Sequence, residues 1–370
     1  MISICRMTKR GFFLFSILLF SLTGCRHIPD TPDSGTRPAT SASAPSSVTA
    51  QSGTGISFET AKAEFVDEFS DKYSFDKTRL TTLFEQVHSN PTVIRLVTPS
   101  GNPKAKNWQN YRKNVIDPAR ISAGVRFWNR YEDALDRATK TYGVPSDIIV
   151  AIIGIESVYG RYTGNFRIID ALSTLAFDYP ETPNQAARKR FFRKELENLL
   201  LFAKETGKNP ANLYGSYAGA IGYPQFMPGS IRQFAVDFDG DGIIDLENSP
   251  VDAIGSIAHF LVRHGWKNGL PVVFPVHTRP DCTIPPSLLD QGLAATLSIS
   301  RLENGCIIPD GDVPDDLLFG LIDLPNGTEP ADYWIGTDNF FAITHYNRSY
   351  FYAMSVVLLA REIADARNGE

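Results

Sequence analysis

From Ser57 to Thr98 the apolar residues recur at helical spacing, with Phe65, Phe69, Leu80, Leu83 and Phe84 as inward positions and Ser, Asp or Thr ahead of each run. Helices are predicted there. The segment from Lys104 to Asp117 is basic and aromatic, carrying Trp108, Tyr111, Arg112 and Lys113, and leads into the next helix. Val125 to Tyr142 reads as one amphipathic helix with Phe127, Trp128, Tyr131 and Leu135, closed by Gly143. A helix over Pro145 to Tyr159 follows, nearly all apolar between Ile148 and Ile155, so it is expected to be buried. A short helix over Asp170 to Ala176, a long one over Arg188 to Lys204 and a further one over Pro250 to Gly265 come next. Between Leu270 and Gly336 the pattern changes to short β-like runs broken by Pro and Gly. Phe340 to Arg367 begins β-like or irregular and ends as an apolar helix. The expected class is mainly α (α+β). Its parts are a helical domain over 57–141, a core over 142–269, a small β-containing subdomain over 270–337 and a C-terminal segment over 338–370 that completes the core.

One residue breaks the apolar helix. Counting back from Glu156 by three, four, seven and eight gives Ile153, Ile152, Ile149 and Ile148, so its carboxylate shares their stripe. An ionised carboxylate there is costly, and desolvation raises its pKa towards values useful for donating a proton near neutrality. A Glu satisfied by a nearby Arg or backbone amide would give the same pattern.

The 370 residues allow a sizeable core in two or three subdomains, and the net charge of −5 is spread without a long single-sign run. No basic stripe points to nucleic acid. Six histidines and four cysteines without CxxC or HExxH spacing argue against a zinc site. Arg6, Lys9 and Arg10 precede an apolar run from Gly11 to Leu22 that is too short to span a bilayer and fits a signal peptide over residues 1–24. It ends in Leu22-Thr23-Gly24-Cys25, which resembles a bacterial lipobox with Cys25 as the lipidated first residue; an ordinary signal peptide with an incidental Cys is the alternative. Arg26 in place of Asp resembles lipoproteins sent on to the outer membrane, which places the protein on its periplasmic face, anchored by lipid. The Ser/Thr/Pro/Ala-rich stretch up to residue 56 is a flexible tether. In an oxidising periplasm Cys282 and Cys306 would pair and staple the small subdomain; two free buried thiols are the other reading.

Three stretches suggest chemistry. Asp237-Phe-Asp239-Gly-Asp241-Gly242-Ile243 opens like a calcium loop, with carboxylates at positions one, three and five and the carbonyl of Ile243 at seven. Position twelve is Asn248 instead of Glu, so Asp252 is the best candidate for the last ligand of a structural calcium (or sodium) ion, ahead of Asp245 and Glu247; a solvated acidic turn is the alternative. From Ser216 to Pro228, a hydroxyl, the Gln225 amide and the rings of Tyr223 and Phe226 sit among glycines, a composition that suits a glycan groove or a core-facing turn. Near the end, Tyr346-Asn347-Arg348-Ser349 with Tyr350 and Tyr352 forms a polar–aromatic cluster before a helix, where Asn347 could simply be the cap.

The Glu156 segment, Arg167 to Pro180, the Gly219 to Pro228 turn, the Asp237 loop and Tyr346-Asn347 occur in the order seen in the membrane-bound lytic murein transglycosylase B family. The resemblance covers Ser57 to Arg367. It implies a lysozyme-like helical core with an additional helical domain and a small β domain. It also implies cleavage of peptidoglycan glycan strands at the β-1,4 bond between N-acetylmuramic acid and N-acetylglucosamine, leaving 1,6-anhydromuramoyl ends, with no catalytic cofactor. Carried over by position, Glu156 is the sole acid/base, and Ser216, Gln225, Tyr346 and Asn347 line the groove, with Tyr111 and Arg188 as further groove positions. Asp237, Asp239, Asp241 and Ile243 match the metal loop, whose length departs from the family here and bears on Asp252. The cysteine-bearing subdomain is not something the core motifs imply. No second carboxylate sits in an obvious partner motif, so the substrate's own N-acetyl group would support the charged intermediate. A hydrolytic muramidase and an inactive tethered peptidoglycan-binding lipoprotein are the rival readings. Partners in cell-wall synthesis or division would suit either.

Overall fold

A computed structural model describes residues 56–99, 105–289 and 291–369. The expected signal peptide, Cys25 and the tether up to residue 55 lie outside the described residues.

The chain opens with α1 (Phe58–Tyr73), α2 (Lys77–Glu85) and α3 (Pro91–Val97), each started by a side chain that accepts from the first turn: Ser57, Asp76 and Asn90. Phe65, Phe69, Leu80 and Phe84 are buried as expected, while Leu83 is half-buried. Next come α4 (Trp108–Val115), α5 (Pro118–Arg130) and α6 (Glu132–Tyr142). The single helix expected over Val125 to Tyr142 is therefore two. Asp117 caps a helix that begins at Pro118, and Tyr131 leaves helical geometry (φ −118°, ψ 26°) with its N–H shared between the Phe127 and Trp128 carbonyls. Packing of the Tyr131 ring against Phe127, with centroids 4.8 Å apart, accompanies the break.

Helix α7 (Ser146–Ser157) is buried along almost its whole length, because α5, α6, α11 (Pro250–Arg263) and α14 (Tyr350–Asn368) pack around it. Between α7 and α11 run α8 (Ile168–Phe177), α9 (Gln185–Thr206) and α10 (Pro228–Phe234). A two-residue antiparallel pair, β1 (Phe166–Arg167) with β2 (Tyr214–Gly215), ties the start of α8 to the segment after α9. The glycine-rich segment between β2 and α10 is irregular, as its glycines foretell.

A four-stranded antiparallel sheet of order β4-β3-β6-β5 forms from β3 (Val273–Thr278), β4 (Ile307–Pro309), β5 (Gly320–Asn326) and β6 (Glu329–Gly336), with α12 (Ile299–Asn304) beside it. It has its own hydrophobic cluster of Leu288, Leu297, Leu302, Ile307, Phe319, Leu321 and Ile335. Cys282 and Cys306 are joined, closing a loop of sequence separation 24 over this cluster. The last segment departs from expectation at its start: α13 (Asp338–Thr344) is helical from the outset. Thr337 caps it, and buried Asn339 fixes it to the end of α11 by accepting from Lys267 N–H and donating to the Lys267 and Leu270 carbonyls. Local apolar density resembles a strand there, but the cap decides.

Because the disulfide shortens the unfolded loop, Cys306→Ser or reduction should lower stability by about 3 kcal/mol, with amide exchange rising first in the sheet and its cluster. Identical melting with and without reductant would show that the link contributes nothing.

Candidate active site

Helix α7 stops just after Glu156. Val158 and Tyr159 both take left-handed geometry (φ 49° and 59°) and Gly160 follows at φ 83°, so the chain turns sharply away. Room for the turn comes from glycine: a Cβ at Gly160 would lie 2.2 Å from the Tyr223 ring. Ser157 Oγ donates to the Tyr223 carbonyl at 2.8 Å and accepts from Gly160 N–H at 3.0 Å, which locks this turn to the glycine-rich segment.

Glu156 is thereby held in a pocket of aromatic residues. The Tyr352 phenol donates to Glu156 Oε1 at 2.6 Å. Burial pushes the Glu156 carboxyl up to about 7, against the opposing pull of that hydrogen bond. No ion pair to Glu156 occurs among the described residues, and no basic group contributes to its titration, so the reading of a Glu satisfied by Arg does not hold. No second carboxylate contributes either. Its charge is felt by Tyr111 from α4 and by Tyr346 and Tyr352 from the cluster at the start of α14. Burial and then the Glu156 charge push Tyr111 up to about 12, and the same causes hold Tyr346 and Tyr352 well above the ordinary phenol value. These phenols stay neutral donors at any physiological pH. Tyr346 stacks on Tyr352 at 6.3 Å and donates to the Pro224 carbonyl at 2.8 Å.

The structure thus brings Tyr111 and Tyr346 to Glu156, as expected from the sequence. Gln225, at φ 50°, donates to the Thr163 and Gly222 carbonyls at 3.1 and 2.8 Å, and buried Ser216 accepts from Ala220 N–H at 3.0 Å. Both line one cavity together with residues of the loop after Glu156. Tyr223 is half-buried beside that loop. Phe226 is a correction. At 2 % exposure it packs under Tyr346 and against Phe260, so it supports the wall instead of offering a face. Asn347 is half-buried and is not the cap of α14; Ser349 is, accepting from Tyr352 N–H. Arg188 lies at the start of α9 in the field of Tyr179, and it makes no contribution at Glu156.

Tyr352 is not among the site residues expected from the sequence, although it belongs to the polar–aromatic cluster before α14. A signal for it is present in the chain: Tyr352 shares a helical stripe with Val356, Leu359 and Ile363, and a phenol on a buried stripe needs a partner. The same reasoning singles out Glu156.

In the acidic loop, carboxylate oxygens of Asp237, Asp239 and Asp252 lie within 4.8 Å of one another. Asp237 accepts from Gly240 and Gly242 N–H, whose residues have φ 80° and 88°. Fully buried Asp252 accepts from Phe238, Asp239 and Asp245 N–H, so it organises the loop from beneath. Asp241 instead accepts from Ile243 N–H at 2.7 Å and is not part of the convergent set, and Ile243 is 56 % exposed. Asp245 accepts from Glu247 and Asn248 N–H and is not part of the convergent set. The donor set is all hard oxygen, which fits a calcium-sized cation.

A titratable carboxyl beside neutral phenols and a groove can give a proton and take one back. The Transglycosylase SLT domain matches residues 57–361. Membrane-bound lytic murein transglycosylase B of Escherichia coli is 38 % identical, covering 98 % of this chain and 99 % of that protein. Soluble lytic transglycosylase SltB1 of Pseudomonas aeruginosa is 44 % identical with a TM-score of 0.75, covering 83 % of this chain and 99 % of that one. The Escherichia coli lytic transglycosylase SLT35, solved in complex with calcium, is 42 % identical (TM-score 0.72; 83 % and 93 % covered). SltB3 of Pseudomonas aeruginosa, solved with NAG-anhNAM-pentapeptide, is 28 % identical (TM-score 0.70; 84 % and 80 % covered). The mainly helical fold is the lysozyme-like one of these enzymes, and the chain belongs to the SLT-domain family of lytic murein transglycosylases, which cleave peptidoglycan.

Proposed function

We propose that Glu156 is the single acid/base of this reaction and that the product carries a 1,6-anhydromuramoyl end. The neutral carboxyl protonates the oxygen of the β-1,4 bond between N-acetylmuramic acid and N-acetylglucosamine, and the C1–O bond breaks. The muramoyl N-acetyl group supports the positive charge at C1. The Glu156 carboxylate then takes the proton of the muramoyl C6 hydroxyl as that oxygen closes on C1, which restores the neutral acid. Most glycosidases use two carboxylates. The observation that carries this reading is a carboxyl raised to about 7 with one phenol as its partner and no second carboxylate acting on it. The anhydro sugar bound by SltB3 supports the same outcome. Tyr352 holds the carboxyl in place, while Ser216, Gln225, Tyr346, Tyr111 and Tyr223 shape the groove, with Asn347 and Arg188 as outer contacts.

The remaining assignments belong to the same reading. Cys25 carries lipid and the tether lets the enzyme work from the periplasmic face of the outer membrane, in line with the membrane-bound relative. No helix among the described residues is long and apolar enough to cross a membrane. Of the divisions at residues 141, 269 and 337, the last two are supported by a second cluster of buried residues between Leu288 and Ile335, whereas the buried residues on either side of residue 141 share one cluster. Asp237, Asp239 and Asp252 would hold calcium, the ion with which SLT35 is solved, and it would neutralise their mutual repulsion and fix the loop.

Glu156→Gln should reduce turnover of purified sacculi by at least about a hundredfold while peptidoglycan binding persists. Mass spectrometry of wild-type digests should show anhydro ends; reducing ends would replace this reading with hydrolysis. In the wild type, kcat/KM should fall as pH rises through about 7, where the acid ionises.

Stability should move with the same group. A carboxyl whose folded pKa lies above its unfolded value favours the fold below the unfolded value, near 4.5, and loses that contribution as pH rises through about 7. Glu156→Gln removes the penalty, so at pH 8 the variant should be more stable than the wild type, by at most about 3 kcal/mol, with the gap closing towards pH 4. Equal stabilities at both pH values would contradict the raised pKa.

Calcium should raise the melting temperature of the wild type, and Asp237→Ala should abolish that rise without changing the melting temperature in chelator by a comparable amount. A calcium response that survives the substitution would exclude this loop.

A further inference from the structure

Helix α4 carries Tyr111 and has only 8 residues, too few to hold a helix in water without help. Trp108, its first residue, is the one that is buried. Its place is therefore set largely by what grips its ends. At the N-terminal end Asn107 accepts from Asn110 N–H at 2.8 Å, a local cap. A second unpaired donor of the first turn is met from 217 residues away: Gln109 N–H donates to Asn326 Oδ1 at 3.1 Å.

Asn326 is 5 % exposed and lies at the end of β5, where the β5–β6 ladder shifts register between Leu324 and Asn326. Irregularities of this kind re-aim a side chain. Asn326 Nδ2 donates to the Pro330 carbonyl at 2.9 Å and to Asp332 Oδ1 at 3.3 Å. Both donor hydrogens are thus spent within the hairpin, which leaves Oδ1 to face α4. Around this bond the Asn107 amide donates to the Asn326 carbonyl at 3.0 Å and Gly327 N–H to the Lys106 carbonyl at 3.0 Å. The Gln109 amide adds a bond to Asp332 Oδ2 at 2.9 Å. At the other end of α4, Arg120 of α5 donates to the Asn114 and Val115 carbonyls. The helix is clamped at both ends by polar bonds.

What the clamp carries is a set of packed rings. Tyr111 stacks on Trp108 with centroids 6.2 Å apart, and the two pack on Phe351 at 5.4 and 5.3 Å. Phe351 precedes Tyr352, whose phenol holds Glu156. A shift of α4 would move the Tyr111 ring against the acid. We infer that Asn326 is a positioning residue for substrate binding: acting through α4, it sets where Tyr111 stands in the groove. The small β subdomain thereby takes part in the reaction as the mount of one groove wall. The cluster that holds this subdomain together is made of other residues, so the contact to α4 can be cut while the sheet stays folded. The inference rests on the place given to Tyr111 in the reading above.

On soluble glycan strands Asn326→Ala should raise KM about fivefold and leave kcat within about twofold. Amide exchange should rise in α4 and stay unchanged in β3 and β4. A double-mutant cycle separates positioning from a merely structural role. Tyr111→Ala should itself raise KM, and in that background Asn326→Ala should add nothing, because the ring it positions is gone. Losses that multiply, a loss confined to kcat, or an unchanged KM in Asn326→Ala would overturn the proposal. Gln109→Ala, at an exposed position, removes the bond to Asp332 from the α4 side and should give a smaller rise in KM that Tyr111→Ala likewise cancels. If exchange rises across the whole sheet in Asn326→Ala, that variant decides. The same pattern should appear in binding measured in a Glu156→Gln background, so a failure of the acid assignment would not carry over. If Tyr111→Ala left KM and binding unchanged, the groove role of Tyr111 would fall and the inference with it; if only Asn326→Ala and Gln109→Ala were silent, the inference alone would fall.

Discussion

Everything in this site depends on how a carboxyl is kept dry and still held by one hydrogen bond. Burial alone drives the Glu156 proton affinity upward, and the Tyr352 phenol at 2.6 Å draws it back down. With burial and no phenol, the carboxylate that the proposed second half of the reaction requires would have no stabilising donor. With an arginine in its place, the acid would be ionised before substrate arrived. A neutral donor is the partner that leaves both protonation states accessible near pH 7. Buried tyrosines suit the task because their own protons stay put.

Keeping the carboxyl dry is a demand on the whole fold. Helix α7 is buried on nearly all sides, which only a ring of α5, α6, α11 and α14 can achieve, and α14 comes from the far end of the chain, 196 residues from Glu156 in the case of Tyr352. Close packing here leans on small residues. Cβ atoms at Gly154 and Gly124 would fall 2.4 and 2.6 Å from the Tyr159 hydroxyl, so both positions exist to make room for that ring. The hydroxyl is buried with no hydrogen-bond partner among the described residues and the residue is left-handed, two costs concentrated three residues after Glu156. The sharp exit of the chain at the end of α7 is what those costs maintain.

Much of this is legible from spacing. The isoleucine stripe marks Glu156, the caps mark α1 to α3, and the D-x-D-x-D-G run marks the acidic loop. The misses have physical causes. One amphipathic helix becomes α5 and α6 because a cap at Asp117 and a ring at Tyr131 outweigh a continuous apolar face. Phe226 reads as a groove aromatic by composition, but which way a ring points is settled by Tyr346 and Phe260 from distant segments. Asp241 fits the spacing of a ligand, but its carboxylate lies outside the set that Asp237, Asp239 and Asp252 form. Tyr352 becomes legible only when every polar group on a buried stripe is treated alike.

Glu195 shows why a buried carboxyl on its own is weak grounds for catalysis. It is more deeply buried than Glu156 and is likewise raised by burial, yet one of its oxygens accepts from the Gly229 N–H at 2.7 Å, inside a contact so close that a Cβ on Gly229 would be 2.8 Å from the other. That carboxyl ties α9 to α10. Glu156 differs in having a phenol for a partner and a groove for a neighbour, with the Gln225 turn bound to the loop that leaves it. Burial sets the proton affinity in both; on the role proposed for Glu156, it is the access of a substrate, granted by the sharp turn after α7, that converts one of them into an acid.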